Sequence, residues 1–251
     1  GDTSDIKEYL PGYINPINKK TIKRVINIDT RFRDSYYNTK SSDIIVTLPE
    51  EFKKVVEMKL SALNLPLSIY TLSRSLNNNF FHIDVSSGSQ SDISLIELDD
   101  GKYSSHGDEN TVIINKMNEY LSTSGIDISF SIDKISGRSK FTLNQDKETT
   151  IHFNLSRDGN EDFNTALPLK FGWLLGFRLG SYTFEISGEI IESEGICSLT
   201  FPKYLFFCVN DYTNAANNHF ISAFSKSIMS PHILSRINYQ SIVLDNGIFN
   251  V

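Results

Sequence analysis

Asp127-Ile128-Ser129-Phe130-Ser131-Ile132-Asp133 and Ser139-Lys140-Phe141-Thr142-Leu143 lie on either side of Ser136-Gly137, and reading them decides the fold class. Two short strand-forming runs joined by a glycine turn predict a β-hairpin. Outward from it the pattern recurs. Phe80 to Val85 and Ile93 to Leu98 are short strands separated by a Ser/Gly/Gln stretch and closed by Asp99-Asp100-Gly101. The clearest alternation passes through Val56, Met58, Leu60 and Ala62. Glu57, Lys59 and Ser61 point the other way, as in a strand with one wet face, and Pro66 ends it. Ile22, Arg24, Ile26 and Ile28 interleave with Lys23, Val25, Asn27 and Asp29 in the same manner. Asp43 to Leu48, Thr150 to Leu155, Thr183 to Ile191, Leu199 to Val209 and Ser241 to Leu244 complete the predicted strands.

Two segments break this pattern. Asn110 to Leu121 places Ile113, Met117, Tyr120 and Leu121 at helical spacing, with Asp108 and Glu109 near the positive end of the helix dipole. Thr165 to Phe177 has an early Pro168, then Phe171, Leu174 and Leu175 on one face, with Gly176 and Gly180 as stop signals. The expected fold is therefore all-β, a jelly-roll-like sandwich with two short helices. Residues 1–20, broken by Pro11-Gly12 and Pro16, are expected to form an irregular arm, and residues 21–251 a single β-rich domain.

Composition agrees with a folded chain and narrows its partners. The 251 residues can bury a full-sized core, and 17 Phe and 11 Tyr suit half-buried strands despite a hydrophobic fraction of only 39%. Lys and Arg total 24 against 30 Asp and Glu, a net charge of −6, and the only basic cluster is Lys19-Lys20 with Lys23-Arg24. That footprint argues against nucleic-acid binding, which needs a local excess of cations. No apolar run approaches the roughly 20 residues that span a bilayer, so no membrane span is expected. Gly1-Asp2-Thr3-Ser4-Asp5 has neither a basic nor an apolar leader region, and Gly1 is read as a processing boundary. Asn154-Leu155-Ser156 is read as an accidental glycosylation triplet. Cys197 and Cys208 would stand about 36 Å apart in one extended strand. They are expected to be reduced and buried, in keeping with cytosolic assembly.

A search for chemistry returns no catalytic, cofactor-binding or metal-binding residues. His82, His106, His152, His219 and His232 pair neither with each other nor with cysteine at metal-ligand spacing. Asp158-Gly159-Asn160-Glu161-Asp162 begins like a calcium loop, but Phe163 and Leu169 occupy the positions that require Gly and Glu. A solvated turn is the better reading. Asp99 with Asp100 and Glu192 with Glu194 read as wet turns rather than as glycosidase pairs. Trp173, in Phe171-Gly172-Trp173-Leu174-Leu175-Gly176-Phe177-Arg178, reads as core filler before it reads as a sugar platform or an interface anchor. Of Arg31, Arg33 and Arg178, at least one is expected to be buried against a carboxylate such as Asp29, Asp34 or Asp211.

Several segments carry a resemblance when taken in order. They are Val25-Ile26-Asn27-Ile28-Asp29-Thr30-Arg31-Phe32-Arg33-Asp34, then Val56 to Leu65 leading into Pro66 and Ile69-Tyr70-Thr71. Leu98-Asp99-Asp100-Gly101-Lys102-Tyr103-Ser104, the helix near Val112, Leu174-Leu175-Gly176-Phe177-Arg178, and Tyr204 to Tyr212 follow. Together they resemble a family of minor structural proteins of nucleocytoplasmic large DNA viruses that includes penton-type capsid proteins. The resemblance implies a jelly-roll-like block of an icosahedral shell, with no catalytic residues to transfer. It also implies further strands after the equivalent of Arg236-Ile237, so this chain is expected to be a shortened member or a piece.

The function expected on this basis is that of a viral structural protein, a minor capsid or penton/vertex component. It would be assembled in the host cytoplasm, located in the virion, and in contact with other capsid proteins and copies of itself. The arm's Tyr9, Leu10, Tyr13, Ile14 and Ile17 would dock on a neighbour. The alternative is a carbohydrate- or receptor-binding β-sandwich, favoured if an aromatic cluster including Trp173 or Tyr182 is exposed. An enzyme would need convergent titratable groups in a pocket, and none is visible in the sequence.

Overall fold

The computed structural model describes residues 21–65, 69–87, 90–105, 110–200, 204–212 and 232–238. Chain contacts divide the protein into Gly1–Glu57 and Met58–Val251. The expected arm and the strand at Ser241 to Leu244 lie outside the described residues.

The protein is mainly β. Met58–Val251 contains, among the described residues, strands β1 (Phe80–Ser87), β2 (Gln90–Glu97), β3 (Ile128–Ile132), β4 (Arg138–Leu143), β5 (Thr149–His152), β6 (Ser181–Phe184), β7 (Ile190–Ile196), β8 (Tyr204–Cys208) and β9 (Ile233–Asn238). They form three antiparallel sheets, ordered β2-β1-β5-β6, β3-β4-β7 and β8-β9. The helices are α1 (Asn110–Thr123) and the one-turn α2 (Phe171–Leu174).

The hairpin read from the sequence is β3–β4. Ile128, Phe130 and Ile132 face inward while Ser129 and Ser131 face water, so strand periodicity becomes burial directly. Its turn is tied by Asp133, whose carboxylate accepts from the amides of Ile135 and Ser136 and from the Ser136 hydroxyl. Those bonds, the Ser136 ones foremost, hold the Asp133 carboxyl down at about 2. Gly137 closes the turn at φ +69°, where a side chain would be strained.

Phe130 stands opposite Phe141, with ring centroids 5.0 Å apart. From that pair the core spreads through Phe81, Phe153, Phe171 and Phe177, all buried in one cluster fed by both larger sheets. α1 supplies Ile113, Met117 and Leu121 to it. The same helix sends Asn118 to the outer edge of β3, where its amide donates to the Phe130 carbonyl at 2.9 Å and accepts from the Phe130 amide at 2.7 Å.

Several expectations are corrected. No residue of 21–65 lies in a strand, so the patterns at Ile22 to Asp29, Asp43 to Leu48 and Val56 to Ala62 are not realised as strands. The described stretch holds only a 3-10 turn at Thr30–Phe32, further turns and an isolated bridge between Lys40 and Asp43. Alternation gives a face to a strand, but a ladder also needs a partner, and no described segment provides one. Thr183 to Ile191 divides into β6 and β7 at Gly188, which takes φ +86°. The helix predicted from Thr165 is a 3-10 turn at Leu167–Leu169 and then α2, because Lys170 between them is extended. β9, which the sequence reading omits, pairs with β8. Cys197 and Cys208 are free, but only Cys197 is buried, and its burial pushes the thiol up to about 11. Cys208 is exposed.

Candidate functional site

The residues singled out for chemistry are held apart, each with structural work. Asp100 accepts from the Arg74 amide at 2.7 Å, and Asp99 lies 3.9 Å from Lys116. Glu192 lies 3.9 Å from Lys140, while Glu194 accepts from the Tyr182 hydroxyl and the Arg178 amide. Trp173 is half-buried, with the Arg178 guanidinium 4.2 Å from its ring centroid. The same guanidinium donates to the carbonyls of Trp173 and Phe177. Among the described residues no group of three His, Cys, Asp or Glu could hold a metal. No described helix is long and apolar enough to cross a membrane. His106 and His219 lie outside the described residues.

The expected buried arginine–carboxylate pair is not found at the named arginines. Arg31 does pair with Asp29 at 2.7 Å, but in the open. Arg33 bonds the Thr30, Tyr36 and Thr39 carbonyls and the Thr39 hydroxyl instead of an acid. The protected pairs lie elsewhere. Arg157 meets Glu97 at 2.6 Å, donates to Asn79 at 3.1 Å and stacks on Phe80. Lys170 is buried and donates to Asp162, the last residue of the calcium-like turn, and to the Leu155 carbonyl. Burial pushes the Asp162 carboxyl up, but Lys170 and the Thr165 and Asn164 bonds outweigh it and hold the group far below the usual carboxylate range. Arg157 fastens the 154–165 loop to the end of β2, and Lys170 ties Leu155 and Asp162 of the loop together.

His82 on β1 lies under this loop, buried and opposite His152 of β5. Desolvation lowers its pKa below 6.5, opposed by a backbone bond with Arg157 and reinforced by the charges of His152, Arg157 and Lys170. The unfolded chain therefore binds the proton more readily than the folded one, and stability is fully present above about 6.5. It is lost as pH falls from there through the lower folded value. The thermal midpoint should fall between pH 7.5 and 5, with a shallower fall in His82→Gln. Equal slopes for the two proteins would exclude His82 as the source.

The most unusual surface is in Gly1–Glu57. Among its described residues, 21–57, none is buried. Arg33 staples the 30–39 turn through the bonds given above and lies 4.0 Å from the Tyr36 ring centroid. The turn so held displays apolar side chains instead of covering them: Phe32 is 81% exposed and Tyr37 is 96% exposed. On the approach to it Ile22 and Val25 are 78% and 73% exposed, and Ile45, Val55 and Val56 are exposed further along. Scattered apolar residues are ordinary on a surface; here no residue of the described segment is buried, apolar ones included. The sequence signal was present as alternation, read as burial within the chain.

No protein-family model, curated protein or solved structure matches this chain. What defines it is a mainly β protein with an aromatic core and a segment, residues 21–57, whose apolar side chains are left unburied.

Proposed function

We propose that this protein is a structural component of a virus shell, a minor capsid or penton/vertex subunit of a large DNA virus. It acts through contacts with copies of itself and with other capsid proteins, not through a catalytic centre. The observation that carries this reading is the set of exposed apolar side chains in residues 21–57, a segment with no buried residue. Burying one large apolar side chain contributes roughly 1.5 to 3 kcal/mol, so such a segment gains most by meeting another molecule. The resemblance of the Val25 to Asp34 stretch and its companions supports the viral assignment, with a jelly-roll-like block, a place in the virion and assembly in the host cytoplasm as its corollaries. Nucleic acid is not among the proposed partners. The carbohydrate-binding alternative has weaker support, because Trp173 lies against Arg178 and the Tyr182 hydroxyl is engaged by Glu194.

Sedimentation across a concentration series, with immunolabelling of purified particles, tests the proposal. The protein should self-associate in the micromolar range and label the shell. Val25→Asp with Tyr37→Ser should weaken association while changing stability by less than about 0.5 kcal/mol, as exposed sites usually do. A protein that stays monomeric and is absent from particles overturns the reading.

A further inference from the structure

We propose that residues 23–29 are the strand through which two copies of this protein pair, antiparallel, with Ile26 facing Ile26 across a molecular twofold. This rests on the assembly reading above and adds the partner, the register and the symmetry of one contact.

Residues 21–28 make no hydrogen bond or ion pair, through backbone or side chain, among the described residues. Each backbone unit there carries a donor and an acceptor. Ile22, Val25, Ile26 and Ile28 are β-branched and favour a strand. Asp29, at the end of the run, is already extended, with φ −108° and ψ 108°. Strong strand preference without a ladder partner makes this segment a template for strand addition.

Charge selects the occupant. Lys23 and Arg24 stand at one end of the run and Asp29 at the other. Antiparallel pairing of the segment with its own copy brings basic end to acidic end. With Ile26 on the axis, Lys23 faces Asp29 twice, Arg24 lies opposite Ile28, and Val25 lies opposite Asn27. No like charges face each other. An in-register parallel pair would instead set Lys23 on Lys23, Arg24 on Arg24 and Asp29 on Asp29, which is destabilising. Asp29 already accepts from Arg31, but a carboxylate has about four acceptor sites, which leaves room for a lysine. Val25, Ile26 and Ile28 are all exposed, so their apolar side chains are open to a second copy. A twofold contact of this kind is isologous, so it joins subunits in pairs and does not close a ring.

Cross-linking tests the register. Cys208→Ser removes the exposed thiol, and Cys197 is buried. In that background Ile26→Cys should form a disulfide-linked dimer under mild oxidation, because directly facing Cβ atoms lie about 4.5–5.5 Å apart. Asn27→Cys, whose own copy lies on a longer diagonal, should cross-link at least about tenfold more slowly. Lys23→Glu should weaken the dimer by about tenfold or more, and adding Asp29→Lys should restore it. A protein that self-associates by sedimentation yet cross-links no faster at 26 than at 27 overturns this inference and leaves the assembly reading standing. A protein that remains monomeric by sedimentation overturns both.

Discussion

Gly176→Ala should be among the most damaging single substitutions in this chain, costing about 3 kcal/mol or more. Two physical terms add. Gly176 sits at φ +101°, where an L side chain is strained. An added Cβ would also overlap the carbonyl oxygen of Gly195 and press on the Ser193 hydroxyl. The first of these is backbone, held by the Gly195 amide donating to the Gly176 carbonyl at 2.9 Å, so it cannot swing aside. For a chain of this size the thermal midpoint should drop by roughly 6 to 12 °C. Gly188→Ala is the control. Gly188 has φ +86° but no atom within 4 Å of the added carbon, so only the strain should register. Equal losses at the two positions would show that the close approach at Gly176 carries no energy.

Lys170→Met should be comparably severe, about 3–5 kcal/mol, because it leaves Asp162 enclosed without its counter-ion. The side chains are only 3% and 9% exposed, so water cannot take over. Asp162→Asn added to Lys170→Met should recover much of the loss, since a neutral amide does not need the cation. The deficit of the single variant should also shrink as pH falls through the ordinary carboxylate range near 4, where Asp162 takes up a proton. A deficit independent of pH, with no recovery in the double variant, would mean that the lysine acts through packing of its stem alone.

The sequence was informative wherever its pattern could be satisfied nearby. The β3–β4 hairpin and the β1–β2 pair follow from period-two alternation and adjacent turns, and α1 from helical spacing, because each closes with a neighbour in the chain. The same alternation at Ile22 to Asp29 and Val56 to Ala62 gave no strand, since pairing depends on partners that no local pattern names. Gly188 stands between Ile186 and Ile190 in an alternating run that reads as one strand, so the turn there is not legible from periodicity. The protected ion pairs were also hidden: Glu97 and Arg157 are brought together by tertiary structure. Asp162 looked like part of a wet turn because the lysine that claims it lies beyond Pro168. Of the candidate surface, the residues were legible and their exposure was not, because one period serves a strand packed inside its own chain and a strand presented to another.

The Asn118 clamp on Phe130 bears on how the protein can polymerise. By using both the amide and the carbonyl at the middle of β3, it takes a rung from the ladder that an incoming chain would have to build. Cross-β stacking on that side of the three-stranded sheet is thereby discouraged. Endless growth through this sheet needs both of its edges open, so blocking β3 disfavours that one route to fibres.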